Sequence, residues 1–348
     1  MSSKLNLLDL FNNITEEIKP LNLQLNSRVL FIDGMNTFIR SFAVLNHINQ
    51  AGNHVGGLTG FLKSLGSAIK QLSPTRVIIV FDGEAGSQNR KYLLPEYKGN
   101  RNNQNVMNYK SFETKKDEDE AKINEISRLM DYLKLLPVNC MCIDKLEADD
   151  IIGYLCGKLY REEPECNITI MSSDRDFFQL INDRVSVWSP IKKIHYYTPQ
   201  VLEEFGVHPA NFLIYKAILG DSSDNVKGVH GIGEKKIAKM FPQLVEPERM
   251  MLDEVFEHAE FNVEYGKLFT RLLEDKRKLA INYQIMNLHE PNISKHDVDD
   301  IHRQFYREIP KLQKYDFVKM FEQDKMGDTI PYVQHWIELF SVLNNYKI

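Results

Sequence analysis

Short apolar runs rich in Val and Ile recur along this chain, and several of them end in aspartate. "RVLFID" (Arg28 to Asp33), "RVIIVFD" (Arg76 to Asp82), "VNCMCI" (Val138 to Ile143), "ITIMSSD" (Ile168 to Asp174) and "VSVW" (Val185 to Trp188) make up the set. Near-continuous apolar strands belong to sheets buried on both faces. Helical patterns lie between them, including "GLTGFLKSLGSAIKQL" and "DEAKINEISRLMDYLKLL", where Ile123, Ile126, Met130 and Leu133 fall at spacings of three and four. Strands alternating with helices predict an α/β fold with a mostly parallel central sheet flanked by helices. After Asp221 no strand run stands out, so the last third reads as helical. The expected organisation is an N-terminal extension over 1–27, an α/β unit over 28–217, and helical regions over 218–290 and 291–348.

With 348 residues, 43% hydrophobic and 26% charged, the chain suits one large or two modest globular domains. No apolar run approaches the roughly 18 to 20 residues that span a bilayer, and the mixed, charged N-terminus is no secretory signal. The four cysteines, Cys140, Cys142, Cys156 and Cys166, form no CxxC pair and have no matching His spacing, which argues against zinc. Cys140 and Cys142 share one face of an apolar run and are expected to be buried thiols. A reduced, cytoplasmic protein with no membrane partner is the expectation. The net charge of −5 argues at first against a nucleic-acid partner. Were nine carboxylates committed to metal ions, however, the remainder would be net basic.

In "KLEADDIIG" (Lys145 to Gly153), Glu147, Asp149 and Asp150 stand within four residues. Such acids suit the first turn of a helix, where the dipole favours anions. They also suit a divalent cation. The rest of the chain favours the cation: Asp33 and Asp82 end two strands, and Asp174 ends a third with Asp176 two residues on. In open parallel sheets, ligands bind outside the carboxyl ends of the strands, and capping explains any one of these acids but not their convergence. Asp221 and Asp224 in "LGDSSDN" share one helical face or form an Asp/Ser turn, and on spacing alone the turn is favoured. Oxygen-only ligands select Mg²⁺ or Mn²⁺. So many acids suit two ions, the arrangement that serves in-line displacement at phosphorus.

Two basic stretches stand apart. "GVHGIGEKK" (Gly228 to Lys236) carries Gly228, Gly231 and Gly233, followed by Lys235, Lys236 and Lys239. It reads either as a Gly-rich helix connection or as a loop whose N–H groups meet phosphates. "LLPEYKGNR" (Leu93 to Arg101) reads as an exposed basic turn with Tyr97 half-buried. Alternatively Tyr97 stacks on an unpaired base while Lys98 and Arg101 meet phosphates. The polar stretch that follows, Gly99 to Glu120, reads as a solvated loop or an ordered lid. In the tail, Trp336, Leu339 and Phe340 are expected to pack on the core, the alternative being a docking helix for a replication partner.

"FIDGMN", "VFDG", "LEADDIIG", "SSDRDFFQLI" and "ILGDSSDNVKGVHGIGEKKIAK" together resemble the flap endonuclease and 5′-3′ exonuclease family, including the phage RNase H type. The likeness runs from about Arg28 to about Pro242. It implies a PIN-like core, a helix-turn-helix element gripping duplex DNA at Gly228, Gly231, Gly233, Lys235, Lys236 and Lys239, and further DNA-binding residues Arg90, Tyr97, Lys98 and Arg101 in the block at the base of an arch. It further implies that Asp33, Asp82, Glu147, Asp149 and Asp150 gather around one metal, and Asp174, Asp176, Asp221 and Asp224 around another. Lys98, Arg101 and Asp149 are the implied catalytic side chains, and a helical arch is implied over about 99–136. A monovalent cation such as K⁺ is implied at the Gly228–Gly233 loop. The implied substrates are branched or 5′-ended DNA and RNA–DNA hybrids, with a single-strand-binding protein or sliding clamp as conceivable partners. The rival readings are a DNA-binding relative that has lost catalysis and a PIN-type ribonuclease.

Overall fold

The computed structural model describes residues 24–101 and 105–346, apart from the Arg101 side chain. Most of the N-terminal extension, through residue 23, lies outside them. Six strands form one sheet in the order β3-β2-β1-β4-β5-β6. They are β1 (Arg28–Asp33), β2 (Arg76–Asp82), β3 (Asn139–Ile143), β4 (Asn167–Met171), β5 (Val185–Ser189) and β6 (Ile194–Tyr196). The first five run parallel and β6 is antiparallel to β5. The sequence reading missed β6: three residues behind the Lys192–Lys193 turn are too short to register as a run.

Alternate residues of β1 serve two cores, as the period of a buried strand requires. Val29 and Phe31 face one cluster with Ile78, Ile151 and Ile170, while Leu30 and Ile32 face another with Phe38, Phe61 and Ile79. The second core is covered by α1 (Gly34–Val44), α2 (Gly56–Leu72) and α4 (Lys115–Lys134); α3 (Gln88–Leu93) is a short turn beside the cleft. The first is covered by α5 (Ala148–Glu162) and by the C-terminal helices, which begin after α6 (Thr198–Phe205) with α7 (Phe212–Leu219). Then come a two-stranded ribbon, β7 (Gly220–Asp221) and β8 (Val226–Lys227), and α8 (Glu234–Met240). Helices α9 (Leu252–Phe261), α10 (Lys267–Glu274), α11 (Lys276–Met286) and α12 (Lys295–Phe305) follow, whereas α13 (Lys314–Gln323), α14 (Val333–Trp336) and a final 3-10 stretch (Ile337–Asn345) pack on the second core.

Three expectations need correction. Cys142 is exposed, because β3 is an edge strand; its N–H and C=O are capped by the Gln304 side chain at 3.0 and 2.9 Å. Such covering blunts an otherwise pairable edge. Ile123 is 66% exposed. The buried face of α4 instead runs through Glu118, Glu125, Leu129, Tyr132 and Leu133, since two glutamates take positions the apolar count gave to isoleucine. The polar stretch ending at Glu120 is not wholly loop, because α4 starts at Lys115 with Thr114 capping the Asp117 N–H. In the tail, Phe340 is buried and Trp336 and Leu339 pack on the second core, as expected.

The strand order reverses between β1 and β4, so the crevice at their carboxyl ends is the topological switch point. Gly83, just after Asp82, keeps that edge tight: a Cβ there would stand 1.8 Å from the Ile143 carbonyl oxygen. Gly83→Ala is expected to cost about 1 to 3 kcal/mol through overpacking, read by urea unfolding. An unchanged midpoint would show that the 143–146 turn yields freely.

Candidate active site

Asp33 from β1, Asp82 from β2, Glu147 and Asp149 around the start of α5, and Asp174 after β4 line one cleft of about 650 Å³, with Asp224 and Lys98. Asp174 and Asp221 line an adjoining recess with Arg40, Arg175 and Lys216. Several of these acids also cap backbone. Asp33 accepts the Asn36 N–H at 3.0 Å, Asp82 the Ala148 N–H at 2.8 Å and Asp174 the Asp176 N–H at 2.9 Å. The acids expected to bind a cation are thus also caps, which is why capping alone could not tell the two readings apart.

Resident bases neutralise part of the cluster. The Arg90 guanidinium donates to Glu147, to Asp149 at 3.0 Å and to Asp150 at 2.7 Å. Lys98 Nζ stands 2.7 Å from Glu147. Lys216 Nζ joins Asp176, at 2.8 Å, to Asp221. Among the described residues, Asp33, Asp82 and Asp174 have no paired base. Burial, the largest cause, pushes the Asp33 carboxyl up to about 7; the Asn36 bond opposes this and the Asp82 and Asp174 charges add to it. Burial also raises Asp176 to about 7 despite Lys216. For Glu147 burial acts upward too, but Arg90 and Lys98 outweigh it and hold the group down at about 2. Lys216 does the same for Asp221, also at about 2.

The carboxylate-only donor set fits hard cations. The raised Asp33 and Asp176 mark where positive charge is still wanted. No three acids converge on a ready-made coordination point among the described residues, because the bases draw Glu147, Asp150, Asp176 and Asp221 toward themselves.

Arg90 and Tyr97 correct the sequence reading. Arg90 is 7% exposed and Tyr97 3%, so neither faces a nucleic acid. The Tyr97 hydroxyl bridges Glu147 at 3.0 Å and Asp224 at 3.1 Å, and its ring is walled in with Leu213 and Ile285. Asp150 is turned to Arg90 and does not line the cleft. Lys98 does line it, from a left-handed backbone (φ 56°). Arg101 ends the 3-10 turn Gly99–Arg101, and its side chain lies outside the described residues. Lys216 was missed, although a lone lysine in the apolar "FLIYKAIL" five residues before Asp221 was a legible signal.

At the glycine loop, Gly228 packs so closely that a Cβ would meet the Leu219 carbonyl oxygen at 2.0 Å, and Gly231 has φ +82°. Gly233 caps α8, a helix of only seven residues. Lys235, Lys236 and Lys239 are exposed. Lys236 Nζ donates to the Gly231 carbonyl at 2.7 Å.

Fold and site together define a parallel-sheet protein with an acid-lined cleft at its switch point, joined to a helical unit. Residues 28–206 match the family profile described as "5′-3′ exonuclease, N-terminal resolvase-like domain", and 207–308 match "5′-3′ exonuclease, C-terminal SAM fold". The chain belongs to the 5′-3′ exonuclease family. A "5′-3′ exonuclease" of Bacillus subtilis is 34% identical over 236 residues, covering 65% of this chain and 73% of the relative. The thermostable DNA polymerase I of Thermus thermophilus is 29% identical over 76% of this chain, but the match spans only 31% of that relative's length. Among solved structures, the T5 D15 protein co-crystallised with metal ions superposes with a TM-score of 0.61 at 21% identity, covering 86% of this chain and 99% of that one. Human GEN1 in complex with Holliday junction DNA gives 0.55 at 13%, covering 92% and 73%. These structures share the fold. No helix among the described residues is long and apolar enough to cross a membrane.

A group whose folded pKa is raised binds more protons folded than unfolded, so its contribution to stability falls as pH rises through that window. Asp33 and Asp176, each at about 7, are therefore expected to make the metal-free protein less stable as pH climbs from about 4 to about 7. Glu147 and Asp221, both held low, contribute stability above about 4 that is lost only toward about 2. Urea unfolding in EDTA at pH 5 and pH 8 checks this, with Asp33→Asn expected to flatten the slope. Stability that rises across that interval would count against it.

Proposed function

We propose that this cleft is the centre of a metal-dependent 5′-nuclease that hydrolyses phosphodiesters at 5′ ends and flap junctions, leaving 5′-phosphate and 3′-hydroxyl. One observation carries the reading: four chain segments bring carboxylates to the switch point, and among the described residues Asp33, Asp82 and Asp174 are left there without a paired base. Binding of nucleic acid alone has no use for that arrangement. The match to T5 D15 flap endonuclease, solved with DNA and metal ions, supports it on the level of fold.

Asp33, Asp82, Glu147 and Asp149 would hold one divalent ion, and Asp174, Asp176, Asp221 and Asp224 a second. Two such ions, when bound, would supply an activated hydroxide and charge for the phosphate and the leaving oxygen. The chain's own side chains do the rest. Lys98, in the cleft beside Glu147, is placed to donate to a phosphate oxygen as negative charge develops. Arg101, three residues on in the chain, is the second cation this reading assigns to the transition state. Lys235, Lys236 and Lys239 present positive charge to duplex phosphates from the glycine loop and α8, as a helix-turn-helix element does, without reading sequence. Tyr97 and Arg90 act from behind by fixing the acids. RNA–DNA hybrids are a second substrate class that the same backbone contacts would accept.

The test is a 5′-labelled flap oligonucleotide with Mg²⁺ or with EDTA. Incision near the junction is expected only with Mg²⁺. Asp149→Asn is expected to abolish it, and Lys98→Ala to lower it about 10²- to 10³-fold. Tight binding of the flap without cleavage would leave a DNA-binding relative that has lost catalysis.

A further inference from the structure

Arg90 uses every face of its guanidinium. Nε donates to the Ile285 carbonyl at 2.8 Å, Nη1 to Glu147 and to Asp149 at 3.0 Å, and Nη2 to Asp150 at 2.7 Å. Three carboxylates from the start of α5 and one main-chain carbonyl near the end of α11 therefore meet on one planar fork. A lysine, as a point charge with no fork, would not span them. Asp150 is spent on this contact and stays out of the cleft, whereas Asp149 and Glu147 line it. The main-chain N–H of Asp150 also donates to Asp149 Oδ1 at 2.8 Å, so that oxygen is doubly held.

We infer that Arg90 is a positioning residue of the metal centre: a resident counter-cation that holds the acids of α5 assembled before a divalent ion arrives and withholds Asp150 from the cleft. The inference rests on the metal-centre reading above. Three like charges packed together would otherwise repel and turn outward. With the guanidinium in place, this side of the cleft offers two acids, not three, to an incoming cation. Because the same side chain grips the Ile285 carbonyl, the acids are set only when the helical unit is docked.

Thermal denaturation of the full chain, without substrate, tests this in EDTA and in MgCl₂. Arg90→Gln is expected to lower the midpoint in EDTA. Its Mg²⁺-induced rise is expected to be about twice that of the wild type, since the ion takes over the missing charge. Arg90→Lys is expected to fall between the two. A merely structural role predicts a lower midpoint with an unchanged Mg²⁺ increment; that result, or a smaller increment, overturns the inference. Should Arg90→Gln fail to fold, Asp150→Asn and Asp149→Asn decide. Asp150→Asn is expected to keep the wild-type increment and Asp149→Asn to lose at least half of it, and equal losses overturn the inference. A wild-type protein with no Mg²⁺ increment overturns the metal-centre reading and this inference with it, whereas a wild-type increment copied unchanged in Arg90→Gln overturns the inference alone.

Discussion

Negative charge gathered where water is scarce is the constraint around which this molecule is arranged. A parallel sheet buried on both faces ends its strands at one edge, and here four segments place aspartates or a glutamate on that edge. Burial makes Asp33, Asp149, Asp150 and Asp176 costly to ionise, and neighbouring acids add to the cost. Arg90, Lys98 and Lys216 offset part of it, each from a different element. The remainder, centred on Asp33 with Asp82 and Asp174 beside it, stays uncompensated and keeps a raised carboxyl. Such a residue of charge lowers stability unless a cation relieves it.

The same constraint explains why the helical unit is fastened to the sheet unit beside the cleft. The turn that carries Lys98 is stitched to the turn that carries Asp221 and Asp224 by three bonds of 2.8 Å: Lys98 N–H to the Asp224 carbonyl, Asn225 Nδ2 to the Glu96 carbonyl, and Asn100 Nδ2 to the Ser222 carbonyl. Arg90 reaches the Ile285 carbonyl, and Gln179 bonds the Met286 carbonyl and the Leu288 N–H. Acids from both units share one cleft because main-chain groups, whose positions vary least, set the distance between them.

On the opposite side, α4 is held by buried charge rather than by apolar contact alone. Glu118 accepts the N–H groups of Met107 and Asn108, and Glu125 accepts His54 Nδ1 at 2.6 Å and the Leu58 N–H. Asp324, in the tail beyond the family match, accepts two bonds from Arg128 and one from Tyr132. The stretch after Asn105 is thereby fixed against α1 and α2 among the described residues, with Asn108 donating to the Phe42 carbonyl. These bonds join residues up to 196 positions apart, and none has a local signature in the sequence.

How much was legible follows from the range of the forces involved. Strand periodicity and the aspartates that end strands are local, and they sufficed for the sheet, its parallel direction and the acids Asp33, Asp82 and Asp174 at its edge. The reading stopped where partners are chosen across the chain. Nothing near Arg90 or Tyr97 says that they face inward, because burial depends on α5 and α11 closing over them. Ile123 lost its place to Glu118 and Glu125 because two specific partners made the buried glutamates tolerable. The sequence by itself determined which residues carry charge and which strands end in them. Only the tertiary structure decided which of those charges are paired and which are not, because ion pairing is settled by distances of a few ångströms between segments that the chain keeps far apart.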